Sequence, residues 1–162
     1  MRFFSDSDTP ISLGIPLVQL SAGALTKDSV VAWQGIENLS AQAINGILTS
    51  GLKFIVNRPR PFVSYPDDIQ KYGSAGSYSF PSGHTSMAFA AATTLSIQYP
   101  KWYLIVPAYA WSSTVAFSRM YLGVHYPSDV LGGILLGSGT AVLAHYGSRW
   151  FAKKWNQRKI KL

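Results

Sequence analysis

Apolar residues gather in five stretches, at residues 11–25, 29–56, 85–99, 102–117 and 130–146, separated by polar breaks. Each is longer than a typical strand, rich in Ala, Leu and Gly, and free of strict alternation, so helix is the reading for all five. The pattern predicts an all-α bundle of five to six helices in one 162-residue domain. Residues 1–10 are polar and lack the charged-then-apolar pattern of a signal peptide. One long polar connection, residues 58–80, carries three prolines before Tyr72 and several Gly and Ser after it, with Asp67, Asp68 and Lys71. A connection of that length in a compact bundle is more often functional than idle, and this one is expected to cover or shape a site.

A membrane span needs about 20 apolar residues, with about 17 as the lower end. Residues 102–117 and 130–146 contain no Asp, Glu, Lys or Arg and come close to that length. Gly133 with Gly137, and Ala88 with Ala92, are small pairs four apart that allow close helix packing. Trp102, Tyr103, Trp150 and Trp155 stand at segment ends, as an interfacial aromatic belt would. The bundle is therefore read as membrane-spanning, with a soluble bundle as the alternative.

Composition leans toward a membrane protein without deciding between the two, since the mean hydropathy is only +0.13. Hydrophobic residues make up 48% and charged residues 13%, where a soluble domain averages about 25% charged. The chain has no Cys, which excludes disulfides and thiolate metal ligands. Its net charge of +7 has two sources. Lys53, Arg58, Arg60 and Arg119 lie among the polar motifs, and Lys153, Lys154, Arg158, Lys159 and Lys161 crowd the C-terminus. A nucleic-acid surface is the obvious competitor for a basic chain. The tail reads better as a membrane-flanking segment that places the C-terminus in the cytoplasm. Counting helices back from it puts all the polar motifs on the opposite, outer face, so no nucleic-acid partner is expected.

Three motifs carry the chemistry: residues 53–61 (KFIVNRPRP), 81–84 (PSGH) and 118–129 (SRMYLGVHYPSD). They supply cations, two histidines, a serine, a glycine and a carboxylate. His125 and Asp129 are four apart at a helix entrance, with Pro127 suited to the first turn. Asp129 can accept a hydrogen bond from one imidazole nitrogen, which fixes the tautomer and leaves the other as nucleophile. Arg119 offers a donor fork suited to phosphate oxygens, or a structural ion pair. PSGH reads as a helix N-terminus, with Ser82 as a capping hydroxyl and free amides that favour an anion. His84 is either a capping residue or a general acid. Lys53 closes a helix, where it also suits the dipole. Arg60 is flanked by prolines, and Arg58 is an alternative to it. His145 is expected to be a helix-end or interfacial residue rather than a ligand. No metal site is apparent, and no cofactor is expected.

Taken together, K-x6-RP, PSGH and SR-x5-H-x3-D resemble, in order and complete, the three signature motifs of the type 2 phosphatidic acid phosphatase superfamily. The resemblance covers roughly residues 50–147. It implies a phosphatase in which His125 is the nucleophile and forms a phosphohistidine, Asp129 orients it, and His84 protonates the leaving group. Lys53, Arg60, Arg119, Ser82 and the Gly83 amide would hold the phosphate oxygens without a metal. The implied substrate is a lipid phosphate or pyrophosphate, such as phosphatidic acid, phosphatidylglycerol phosphate or undecaprenyl pyrophosphate. The implied location is a bacterial inner membrane with the site on the periplasmic face. Alternatives are a soluble periplasmic acid phosphatase, a vanadium-dependent haloperoxidase and a non-catalytic relative. Membrane members usually have six transmembrane helices against the five stretches read here, so a segment before Ile11 is expected to be missing or removed.

Overall fold

The computed structural model describes residues 1–159; its regular structure is all helical, with no strand among those residues. Five long helices, α1 (Arg2–Thr26), α2 (Ser29–Val56), α4 (Gly83–Gln98), α5 (Trp102–Tyr121) and α6 (Pro127–Lys159), are joined by turns and by one four-residue helix, α3 (Pro61–Ser64). The five stretches read from the sequence each fall in one long helix. Lys161 lies outside the described residues, and of the basic tail's side chains only Lys153 is described.

The polar start of the chain is the main departure. Helix α1 runs from Arg2 through Pro10 and Pro16 rather than beginning near Ile11. Its polar residues are tolerated because Ser5, Asp8 and Ser12 face inward and are buried against other polar groups. Local turn chemistry sets the next boundary. Asp28 caps α2 by accepting hydrogen bonds from the Val30 and Val31 amides at 2.9 and 3.3 Å.

Helix α4 is the central element, packed against α1, α2, α5 and α6. It is buried on nearly all sides from Thr85 to Thr94, and small residues make this possible. A Cβ on Gly137 of α6 would lie 2.1 Å from the Ser86 carbonyl oxygen of α4, so the backbones touch there. Gly123, in the turn between α5 and α6, has φ +68° and sits against the Gln70 carbonyl. That contact ties the long connection to the α5–α6 turn.

The interior is small and polar, whereas large apolar side chains point outward. Ala88, Ala90, Ala91, Asn38 and Asn45 are fully buried, while Leu25, Ile47, Ile55, Leu135 and Trp102 are more than 70% exposed. Among the described residues one helix, over Pro127–Trp150, is long and apolar enough to cross a membrane by length and composition. The others fall short for physical reasons. Helix α2 carries buried Glu37, Asn38, Gln42 and Asn45, and α4 has 16 residues, roughly 24 Å of helix against about 30 Å of hydrocarbon.

Candidate functional site

A cavity of about 190 Å³ opens where α2 and α5 end and α4 begins. Six of the eight residues singled out in the sequence line it: Lys53, Arg60, Gly83, His84, Arg119 and His125. Asp129 stands directly behind His125, and Ser82 is fully buried at the foot of α4. Three further lining residues, Ser74, Gly76 and Ser77, come from the long connection, which does shape the site as expected.

That connection holds all three cations through its backbone. Lys53 Nζ donates to the Tyr78 carbonyl at 2.7 Å, Arg60 Nε to Ser77 at 3.0 Å and Arg119 Nη2 to Ser74 at 2.8 Å. Each cation is fixed by some of its N–H groups and keeps others for a ligand. Arg60 also donates to the Val124 carbonyl at 2.9 Å and lies 3.3 Å from His125 Nε2. Burial pushes the Arg60 pKa down, and the Asp129 charge pulls it back up.

His125 is 4% exposed, in the turn before α6. Its Nδ1 faces Asp129 Oδ2 at 3.5 Å, and its Nε2 is on the Arg60 side. The sequence led us to expect a hydrogen bond from His125 to Asp129. At 3.5 Å the contact is too long for one, and Nδ1 has no closer partner. Catalytic hydrogen bonds are often this long before substrate binds. Asp129 is instead held by Arg58 Nη1 at 2.8 Å, Ser79 Oγ at 2.5 Å and the Tyr126 amide at 2.8 Å. Arg58 therefore does not compete with Arg60 for the cavity. Its guanidinium stacks over the Tyr126 ring at 3.9 Å and secures the carboxylate. Burial lowers the His125 pKa to about 4, with Asp129 pulling it up and Arg60, Arg119 and Lys53 pushing it further down. The imidazole is thus neutral at neutral pH and keeps a lone pair on one ring nitrogen.

Ser82 departs from its expected capping role. It makes no side-chain cap on α4, because its Oγ accepts from Thr85 Oγ1 at 2.9 Å. The first amides of α4 are left facing the cavity end, with Gly83 and His84 at its wall. His145 also departs from expectation. It is buried rather than interfacial, and its Nδ1 lies 2.9 Å from Glu37 Oε1 of α2.

Signals for the missed residues were weak. Ser74, Gly76, Ser77 and Ser79 belong to a Gly/Ser-rich run whose backbone, not its side chains, does most of the binding. Ser5 reaches Arg119 Nη1 from a segment read as a polar start. A metal ion in the cavity would face three cations, so the donor set fits an anion.

The arrangement is a helical bundle with three cations and a buried, neutral histidine around one small cavity. The family model of the PAP2 superfamily matches residues 35–153. The chain belongs to that superfamily. It is 34% identical over 110 residues to the undecaprenyl-diphosphatase of Sulfolobus acidocaldarius, covering 68% of this chain and 53% of that protein. It is 36% identical over 95 residues to the lipid A 4'-phosphatase of Bacteroides thetaiotaomicron, covering 54% and 41%. The chain thus spans about half the length of the curated relatives it matches. Among solved structures, Aquifex aeolicus LpxE superposes with a TM-score of 0.69 at 25% identity, over 90% of this chain and 87% of that one. A transmembrane PAP2-type phosphatidylglycerolphosphate phosphatase from Bacillus subtilis superposes with a TM-score of 0.67 at 26% identity, over 95% and 79%.

Proposed function

We propose that this chain is a membrane-embedded, metal-independent phosphatase that hydrolyses a lipid phosphate or lipid pyrophosphate through a phosphohistidine. The observation that carries this reading is the meeting of Lys53, Arg60 and Arg119 with His84 and His125 on one small cavity. Phosphoryl transfer needs positioning and charge stabilisation above all, and three cations supply both.

The phosphoryl oxygens sit among the three cations and the Gly83 amide. His125 Nε2 attacks phosphorus, and the bond to the leaving oxygen breaks. Burial and the neighbouring cations push the His84 pKa down to about 4 before substrate binds. His84 therefore takes up a proton only when the negative charge of the bound phosphate offsets those cations, and it then gives that proton to the leaving alkoxide or phosphate. Asp129 stabilises the charge that develops on His125 through Nδ1. Water then attacks the phosphohistidine, His84 takes a proton from it, and inorganic phosphate is released.

Two features favour a lipid substrate. The outer surface of the bundle carries large apolar side chains, which suits lipid around it. A second cavity of about 390 Å³ touches His125 and is lined in part by Ile69, Tyr72, Met120, Tyr121 and Tyr126, an apolar and aromatic approach to the site. The relatives named for undecaprenyl diphosphate and lipid A support the same class. The basic C-terminus on the cytoplasmic side would put the site on the outer, periplasmic face.

The test is phosphate release by detergent-purified protein, with EDTA present, from phosphatidic acid, phosphatidylglycerol phosphate, undecaprenyl pyrophosphate and p-nitrophenyl phosphate. Release from a lipid that survives EDTA and is lost in His125→Ala supports the reading. Activity on the small ester alone points to a soluble-type acid phosphatase, and release that EDTA abolishes contradicts metal independence.

A further inference from the structure

Helix α1 lies upstream of all three motifs and of the family match, yet it presents a polar stripe to one of the cavity's cations. Ser5, Asp8 and Ser12 are 1%, 0% and 0% exposed. Their spacing of three and four puts them on one face of the helix. A carboxylate buried among helices is costly unless partnered. Asp8 Oδ1 accepts from Ser12 Oγ at 3.1 Å, while Oδ2 has no hydrogen-bond partner. Arg119 is the complementary case. It is 1% exposed, its Nη1 donates to Ser5 Oγ, its Nη2 donates to Ser74, and its Nε has no partner.

Burial pushes the Asp8 carboxyl up to about 7, and the Ser12 hydrogen bond and the Arg119 charge pull it back down without a direct ion pair. Asp6, the other acid whose charge acts on Arg119, is exposed to solvent. Asp129 plays the same part for Lys53 and Arg60. Three like charges around one small cavity repel each other strongly at low dielectric. Each therefore needs a counter-charge on the side away from the ligand.

We propose that Asp8, together with Ser5, is a positioning residue that orients the Arg119 guanidinium for phosphate. Ser5 holds Nη1 and the Ser74 carbonyl holds Nη2. Asp8, one turn along α1 from Ser5 and not in direct contact with the guanidinium, faces it with an unpartnered oxygen. The remaining Nη1 and Nη2 hydrogens form the fork that meets two phosphate oxygens. This inference rests on the phosphatase reading above.

The experiment measures orthovanadate binding by ⁵¹V NMR to the detergent-purified full chain. Wild type, Asp8→Asn, Ser5→Ala, Arg119→Lys and the Asp8→Asn/Arg119→Lys double variant are compared, with KM, kcat and melting temperature for each. Asp8→Asn is expected to weaken vanadate binding about tenfold and to raise KM, with a melting temperature close to wild type. In the Arg119→Lys background the same substitution is expected to add less than about twofold, because the two act as one unit. Wild-type vanadate binding by Asp8→Asn overturns the proposal, and so do penalties that simply multiply. If Asp8→Asn does not fold, Ser5→Ala decides: several-fold weaker vanadate binding supports the proposal, and unchanged binding overturns it. A wild type that neither binds vanadate nor hydrolyses any ester refutes the phosphatase reading and this inference with it. The wild-type arm separates that outcome from a failure specific to Asp8.

Discussion

The protein buries two histidine–carboxylate pairs, and they differ in what surrounds them. His125 and Asp129 lie 3.5 Å apart at the end of the bundle where α6 begins, beside a cavity walled by Lys53, Arg60 and Arg119. His145 and Glu37 lie 2.9 Å apart further along α6, where Ser148 Oγ donates to Glu37 at 3.0 Å and Gln98 Nε2 approaches it at 3.4 Å. The second pair has the shorter contact and neutral partners. It ties α2, α4 and α6 together. The first pair has a loose contact, an open approach and a ring of positive charge. A histidine next to a carboxylate is thus not in itself a reactive centre. The surrounding charge and the space for a ligand make the difference.

The sharpest way to break this comparison is to delete each histidine in turn. His125→Ala is expected to lower kcat by at least about a thousandfold, since no other group can take its place as nucleophile. The substituted protein should still fold, because His125 makes few contacts that hold helices together. Steady-state kinetics beside a thermal melt checks both halves.

Arg58 offers the next test, because it touches Asp129 and not the cavity. Arg58→Ala is expected to lower kcat about tenfold with KM little changed, through a carboxylate free to turn away from His125. An equal rise in KM would mean that Arg58 reaches the substrate.

The pH dependence of stability probes the first pair. The His125 pKa falls from 6.5 to about 4 on folding. The unfolded chain then binds more protons than the folded one between those values. Stability from this group is complete above about 6.5 and declines as pH falls toward 4, by on the order of 3 kcal/mol in all. His125→Gln should flatten that acid limb in denaturant titrations run from pH 7 to pH 4.

The smallest effect on activity belongs to the far pair. His145→Gln is expected to leave kcat and KM within about twofold, while costing roughly 1–3 kcal/mol of stability through the lost contact to Glu37. A large loss of activity there would erase the contrast between the two ends.

The sequence carried the helices well because each long helix contains a long apolar-rich stretch, even where, as in α2, polar residues such as Glu37 and Asn45 interrupt it. It carried most of the cavity as well, because Lys53, His84, Arg119 and His125 sit at helix ends, where the topology gathers alternate termini on one face. Three features were not legible, and for different reasons. The start of α1 looks like a polar tail until Ser5 and Asp8 find partners across the bundle. Arg58 and Arg60 are alike in composition and differ in aim, which the cap of α3 and the Tyr126 ring decide. The carbonyls of Ser74, Ser77 and Tyr78 leave no side-chain trace, since any residue can offer one.

The most direct measurement is rapid quench of the purified protein with a ³²P-labelled lipid phosphate substrate, followed by acid and alkali treatment of the denatured chain. We expect label that is stable in alkali and lost in acid, mapping to His125 and absent from His125→Ala. Phosphate release without any labelled chain under conditions that trap early turnover, or label that persists in His125→Ala, would contradict a phosphohistidine at this position.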